Sequence, residues 1–210
     1  MPSANPSRVL IVGCGASLRR DDQAGLRIGE SLAAGGPPDG VEVELTESPA
    51  GDIPALLEGR SDIGLLVIVD AATAGEHHPP GTWRRFDCRR GPCQSDLRDG
   101  EPNPASSGAL DASPGRKPWV RDASTTSEPR RGDGGDGPYD LHGPGVQAAI
   151  ELCTTLGTLP AEVWVYAVAA ADTGYGEELS APVAAAIGAM TCAIREDVRG
   201  WLTGGRCERA

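Results

Sequence analysis

Residues 63–69 form the most apolar stretch of this chain, with the sequence Ile-Gly-Leu-Leu-Val-Ile-Val. Because successive side chains of a strand point to opposite faces, a strand of this composition is apolar on both faces. Such strands belong to parallel sheets that are covered on both sides. The run therefore predicts a buried strand in a parallel sheet with helices on each face.

The segments on either side of this run alternate between strand and helix patterns. Short apolar runs or alternating patterns predict strands, and apolar residues at helical spacing predict helices. The predicted strands are 8–13, 41–45, 63–69, 82–86 (edge-like) and 163–169, and the predicted helices are 22–32, 52–57, 145–156 and 181–202. This alternation predicts an α/β three-layer sandwich, in which a mostly parallel, twisted sheet carries helices on both faces. We expect residues 1–210 to form a single domain.

Residues 88–138 differ in composition from the rest of the chain. They are rich in Pro, Gly, Ser, Asp and Arg, and large apolar residues are almost absent between Arg89 and Pro138. A segment of this kind cannot bury enough surface to offset the entropy of ordering its backbone. We therefore interpret 88–138 as a long, largely disordered insertion in a surface loop of the domain.

Composition excludes several classes of partner. The net charge of −11 disfavours a nucleic acid or an anionic membrane surface, because phosphate binding needs clustered Lys and Arg. No apolar run approaches the roughly 20 residues of a membrane span, and the N-terminus has no signal-peptide core. These features predict a cytoplasmic protein. We expect its cysteines to be reduced thiols, and no two cysteine pairs stand at zinc-site spacing.

The loop after the first strand begins with a glycine pair, Gly13 and Gly15. A dinucleotide-binding fingerprint needs a third glycine where Leu18 stands, and it needs a helix N-terminus free of acids beside the phosphates. Here two acids, Asp21 and Asp22, stand at the N-terminus of the predicted helix, and no Gly-Lys-Ser/Thr of a P-loop follows. We therefore expect no nucleotide cofactor. One of the two aspartates is expected only to cap the helix, and Gly25 to allow its close approach to the sheet or to a partner.

Three polar residues, Asp22, Asp70 and His142, each lie where an apolar run gives way to a loop or a helix start. Loops that follow the strands of an open parallel sheet share one edge, where ligands bind. Two carboxylates and one imidazole would form a compact site for a divalent transition metal. The alternative is that each residue is only a helix cap or a turn residue.

The chain resembles the hydrogenase maturation proteases in four blocks that occur in the family's order. These blocks are VLIVGCGASLRRDDQAGLRI, LLVIVDAATAG with Pro80-Gly81-Thr82 beyond it, YDLHGPGVQAAIEL, and VWVYAVAAADTGYGEELSAPV. They cover about residues 8–87 and 139–202. Ala16 replaces the asparagine usual in the family's first loop, and the central insertion is longer than expected for the family.

The resemblance implies an endopeptidase, aspartic-type by the family's classification. It implies removal of the C-terminal extension of a nickel-iron hydrogenase large-subunit precursor after nickel insertion. Asp22, Asp70 and His142 match the family positions that contact nickel, which would belong to the precursor, and Asp22 and Asp70 are also the candidate catalytic residues. We expect a monomer. The alternatives are an inactive nickel-sensing or precursor-binding homologue and an unrelated α/β hydrolase.

No covalent nucleophile is apparent in the sequence. Ser17 has no histidine in its motif, and no Gly-x-Ser-x-Gly elbow occurs. Cys14 is expected to be a small buried apolar residue, and His77 and His78 to be solvated. Attack by water, activated by a metal or a carboxylate, is therefore the expected chemistry.

Overall fold

The protein is described from a computed structural model, which covers residues 8–74, 78–88, 94–100 and 143–204. Within these ranges the strands are β1 (Arg8–Cys14), β2 (Val41–Thr46), β3 (Ile63–Thr73), β4 (Trp83–Asp87), β5 (Gln94–Gly100) and β6 (Glu162–Ala170). The helices are α1 (Ala24–Ala34), α2 (Pro49–Leu57), α3 (Gly143–Leu156) and α4 (Ala181–Leu202), and a 3-10 turn at Arg20–Gln23 precedes α1.

The described strands form one mixed sheet in the order β2-β1-β3-β6-β4-β5. The first four strands in this order are parallel, whereas β4 runs antiparallel to both β6 and β5. Alternate residues of the central strands face two separate cores. Val9, Ile11 and Val67 belong to the core that includes residues of α1 and α4. Leu10 and Leu66 belong to the core on the other face, which includes residues of α2 and α3. The predicted three-layer α/β class is confirmed.

Two strands differ from the sequence prediction. Strand β3 continues past residue 69 to Thr73, because Ala71 and Ala72 keep pairing with β6 beyond the point where the apolar run stops. Strand β4 is not at the edge of the sheet, because β5 pairs with its outer side. Strand β5 itself lies within the segment interpreted as an insertion, where we expected no strand; apart from β5 and Cys88, that segment lies outside the described residues.

Cys88 is disulfide-bonded, whereas Cys14, Cys153 and Cys192 are free thiols. The expectation of reduced cysteines is therefore wrong at Cys88. That expectation depended on chain length and compartment, and neither determines which individual thiols lie close together. None of the helices in the described part of the chain combines the length and apolar composition that a bilayer span requires.

Candidate active site

An open cavity of about 340 Å³ lies at the carboxyl ends of the parallel strands. Its charged lining residues are Asp22, Asp70, Glu47 and Arg19, and Gly145 of α3 also contributes to its wall. Ligands of open α/β sheets bind at this edge, where the loops after neighbouring strands diverge. Two of the three predicted site residues, Asp22 and Asp70, therefore lie in one cavity.

Strand β3 is longer than its neighbour β1, and this difference places Asp70. Pairing between the two strands ends at Gly13 and Val69, while Asp70 still pairs with Ala167 of β6. Asp70 is thus the first residue of β3 that no longer pairs with β1. Its backbone still pairs with β6 on one side, and the cavity lies on the side where β1 has ended. The sequence placed Asp70 at the end of a strand; the structure places it inside one, at a step in the sheet.

The Asp70 carboxyl is buried and close enough to Asp22 to be affected by its charge. The pKa of Asp70 is raised to about 7, mainly by burial; a hydrogen bond from the backbone of Ala71 opposes this rise, and the neighbouring Asp22 carboxylate adds to it. Burial and the Asp22 charge both disfavour the ionised form. A cation bound between the two carboxylates would remove this penalty, so the donor pair is chemically suited to a divalent metal.

Glycines bring the start of α1 against the strand ends. A Cβ atom on Gly25 would lie 2.2 Å from the carbonyl oxygen of Cys14 and 2.3 Å from that of Val69. The expected close approach at Gly25 is confirmed, and it is made to the sheet. Gly15 has a φ of 149°, and a Cβ there would lie 2.0 Å from the carbonyl oxygen of Asp22. The close approaches at Gly15 and Gly25 hold Asp22 beside the end of β3. A side chain at either glycine would displace Asp22.

Asp21 has a different role from Asp22. Its buried carboxylate accepts hydrogen bonds from the backbone N–H groups of Ala171 (2.8 Å), Asp172 (2.9 Å) and Ser180 (2.6 Å), and from the Ser180 hydroxyl (2.8 Å). Burial alone would raise the pKa of Asp21, but these hydrogen bonds lower it overall. Asp21 therefore ties the loop after β1 to the loop between β6 and α4. Sequence reasoning assigned one aspartate of the pair only a cap on the following helix, and this longer-range anchor was missed.

Replacing Asp21 by Asn should lower the free energy of unfolding by about 2–4 kcal/mol at pH 7, since an amide cannot accept from all four donors. Because the pKa of Asp21 is lower in the folded state, its contribution is fully present above the unfolded pKa of about 3.9 and is lost as the pH falls through the folded value. Urea unfolding at pH 7 and at lower pH should show the difference from wild type shrinking in acid. Asp39→Asn, at an exposed loop position, is the matched control. An equal effect of both substitutions would contradict the anchoring role.

Further contacts join the same two loops side by side. The N–H of Arg20 donates to the carbonyl of Gly176, and the N–H of Gly176 donates to the carbonyl of Leu18, at 2.9 Å each. Arg20 adds an ion pair with Asp172 at 3.4 Å. Arg20 adopts a φ of 33°, which is uncommon for a residue with a side chain. The two loops therefore form one rim of the cavity.

Glu47 is a cavity residue that sequence reasoning missed. It follows β2, and its Oε1 accepts a hydrogen bond from the N–H of Ser17 at 3.2 Å. The available signal was its position: Glu47 follows a parallel strand directly, and such positions lie along the same sheet edge as the loop that holds Asp22. Glu47 gives the cavity a third carboxylate.

The candidate nucleophiles are not arranged for covalent catalysis. Cys14 is buried as expected, and burial raises the pKa of its thiol well above the usual value, with a further contribution from the Asp70 charge. A buried thiol with a raised pKa is a poor nucleophile. Ser17 is exposed, and its N–H is bonded to Glu47. His78 is buried, so the expectation that it is solvated is wrong; the sequence could not show that Pro79 and Pro80 lead the chain back against β6, where Gly81 bonds to Ala169.

His142 and His77 lie outside the described residues. Helix α3 begins at Gly143, the residue after His142, and Gly145 in its first turn lines the cavity. Among the described residues, no three His, Cys, Asp or Glu side chains are grouped so that they could hold a metal ion. A metal site at this cavity would therefore need a donor in addition to Asp22 and Asp70, and His142 stays the predicted one.

Comparison with solved structures places the fold among hydrogenase maturation proteases. The E. coli hydrogenase maturating endopeptidase HybD superposes with a TM-score of 0.56 and 19% identity, covering 94% of both chains. The HybD protease of Thermococcus kodakarensis gives a TM-score of 0.54 and 20% identity, covering 91% of this chain and 99% of that one. HycI of the same organism gives 0.53 and 18%, with coverage of 92% and 93%.

No family model and no curated protein matches the sequence. At identities near 20% the structural matches establish the shared fold. The described part of the chain therefore has the fold of the hydrogenase maturation proteases.

Proposed function

We propose that this protein is an endopeptidase that removes the C-terminal extension of a nickel-iron hydrogenase large-subunit precursor once nickel has been inserted. The observation that carries the proposal is the buried Asp70 carboxyl beside Asp22, in a cavity at the carboxyl edge of the sheet. Structures with this fold are named as hydrogenase maturation proteases, and one as a maturating endopeptidase. The four sequence blocks that resemble this family include both aspartates.

The precursor's nickel is part of the substrate in this proposal. Asp22, Asp70 and His142 would contact it, since carboxylate oxygen and imidazole nitrogen suit a divalent transition metal. A site with three protein ligands leaves coordination positions for precursor atoms. A closed, tight cage would compete with the precursor for its metal, so a partial site is better suited to recognising it than to retaining it.

Water is the attacking group in the proposed cleavage, because neither Cys14 nor Ser17 is set up as a covalent nucleophile. A carboxylate with a pKa near neutrality can accept a proton from water at physiological pH. Asp70 has a pKa of about 7 in the metal-free protein, and contact with nickel would lower it, so each of the cavity carboxylates Asp22, Glu47 and Asp70 is a candidate acceptor of this proton. This assignment agrees with the aspartic-type class that the family resemblance implies.

The test compares two forms of one precursor, loaded with nickel or free of it, incubated with the protein at equal concentration. We expect shortening of the nickel-loaded form, and at least about tenfold slower shortening of the metal-free form, because the metal-free form lacks the atom that joins the two proteins. Equal rates on both forms would contradict recognition of the metal. Binding of the loaded precursor without shortening would instead identify an inactive, nickel-sensing homologue.

A further inference from the structure

Arg19 is the cationic residue of the cavity wall among the described residues; its side chain is exposed, and its guanidinium makes two contacts with the rim. Its Nε–H donates to the carbonyl oxygen of Thr173 at 3.2 Å, and its Cζ lies 5.7 Å from the centre of the Tyr175 ring. Its backbone carbonyl accepts the N–H of Asp22 at 2.8 Å. The Arg19 side chain is therefore oriented by the rim, and its backbone is bonded to the candidate catalytic aspartate.

The charges around Arg19 make its bonding pattern informative. Asp22, Glu47 and Asp70 line the same cavity, yet Arg19 forms no ion pair with any residue in the described part of the chain. Its Nε bonds to a neutral carbonyl, which leaves the two terminal nitrogens without a hydrogen-bond acceptor among the described residues. A guanidinium presents its donors in a rigid fork. The free end of this fork is available to an oxygen atom of a ligand.

We infer that Arg19 binds the carbonyl oxygen of the peptide bond that is cut and stabilises the negative charge that forms there; this inference rests on the proposed function. In the step, the oxygen of water adds to the carbonyl carbon and one water proton passes to a carboxylate of the cavity. The carbonyl oxygen becomes negatively charged. The C–N bond then breaks, the departing amine takes up that proton, and the carbonyl re-forms as part of a carboxyl group. A positioned donor at this oxygen lowers the barrier because it acts where charge develops.

A purely structural role for Arg19 is the competing explanation, since Thr173 and Tyr175 belong to the rim. Arg20 offers the matched comparison. It braces the same two loops through Asp172 and through a hydrogen bond from its Nε to the carbonyl of Tyr175 at 3.4 Å, but it does not line the cavity. Loss of loop bracing should therefore affect Arg20 variants as well, whereas loss of the cavity cation affects Arg19 variants alone.

The experiment measures cleavage of nickel-loaded precursor by wild type, Arg19→Ala, Arg19→Gln and Arg20→Ala, with thermal unfolding of each variant as the folding control. We expect both Arg19 variants to cleave about 100-fold more slowly at saturating precursor, and Arg20→Ala to stay within about threefold, as expected for an exposed ion pair. Adding guanidinium chloride, well below the concentrations that unfold the protein, should accelerate Arg19→Ala and leave Arg20→Ala unchanged.

Three results would overturn the assignment. These are cleavage by Arg19→Ala at the wild-type rate, equal slowing of Arg19→Ala and Arg20→Ala, and failure of guanidinium to restore the rate of Arg19→Ala. If Arg19→Ala does not fold, the Arg19→Gln rate decides, because the longer side chain keeps the stem that packs along the rim. If wild type cleaves no precursor in either metal state, the proposed function itself fails, and that outcome is distinct from failure of the Arg19 assignment.

Discussion

Asp70→Asn should abolish cleavage of nickel-loaded precursor, with a loss of at least about 100-fold in rate, while the fold is retained. The substitution preserves the size of the side chain and removes the charge that the proposed chemistry needs. Asp22 cannot substitute for Asp70, because it lies on a different element and is held there by Gly15 and Gly25. Asp62→Asn, at the opposite end of β3 and far from the cavity in the sheet, should cleave at the wild-type rate.

The same substitution should not destabilise the metal-free protein. Because the pKa of Asp70 is raised to about 7 on folding, the unfolded chain ionises first, so wild type loses stability as the pH rises from about 3.9 to about 7. The variant Asp70→Asn has no ionisable group at this position, so it does not lose stability in this way as the pH rises. We expect the free energy of unfolding of the variant to equal or exceed that of wild type at pH 7, by up to roughly 2–4 kcal/mol. Urea unfolding between pH 4 and 8 measures the difference, which should widen with pH. A normal cleavage rate for Asp70→Asn would show that the site is elsewhere.

Asp197→Ala should lower the free energy of unfolding by about 3–5 kcal/mol, without any contact to the cavity. Asp197 lies on α4 and is buried, and its Oδ2 accepts from the Tyr166 hydroxyl at 2.6 Å and from Arg85 Nη1 at 3.0 Å. Tyr166 and Arg85 are opposite each other on β6 and β4. Burial and the hydrogen bond to Asp197 raise the pKa of Tyr166, so its hydroxyl stays protonated and donating. Removing Asp197 leaves the half-buried Arg85 charge without this anion.

Denaturant unfolding of a small set of variants tests this network. Glu196→Ala, at the neighbouring exposed position of α4, controls for helix propensity and should change stability by less than about 0.5 kcal/mol. Tyr166→Phe should cost about 1–2 kcal/mol, because one donor is lost and the ion pair remains. The double variant Asp197→Ala/Arg85→Met should be less destabilised than the sum of its single variants. Strict additivity would show that the two residues do not stabilise each other.

The sequence predicted elements with strong periodicity well and elements defined by distant partners poorly. Helix α4 begins and ends where the pattern indicated, and β6 extends the predicted strand by one residue at each end. The prediction ended β3 at Val69, where the apolar run stops before Asp70, and only the pairing with β6 shows that the strand continues. The position of β4 within the sheet depends on β5, a segment whose composition gave no strand signal.

In the candidate site, too, the sequence predicted some residues well, whereas others could be assigned only from contacts between distant parts of the chain. Asp22 and Asp70 could be predicted from their positions after apolar runs, and the structure brings them to one cavity. The adjacent Asp21 and Asp22 could not be told apart by sequence, because both are acceptable at a helix start. Only the fold shows that one points to the β6–α4 loop and the other to the cavity. His142 stays a prediction.

The cavity is assembled from pieces of chain that are far apart. Its residues range from Gly15 to Thr173 and come from the segments after β1, β2 and β6, from β3, and from the first turns of α2 and α3. No contiguous fragment shorter than residues 15–173 contains them all. The cavity is therefore complete only when the last strand and its loop have docked, so we expect a nascent or truncated chain to lack even partial activity in the proposed cleavage. If that proposal holds, the coupling of activity to completed folding protects the precursor from premature cleavage.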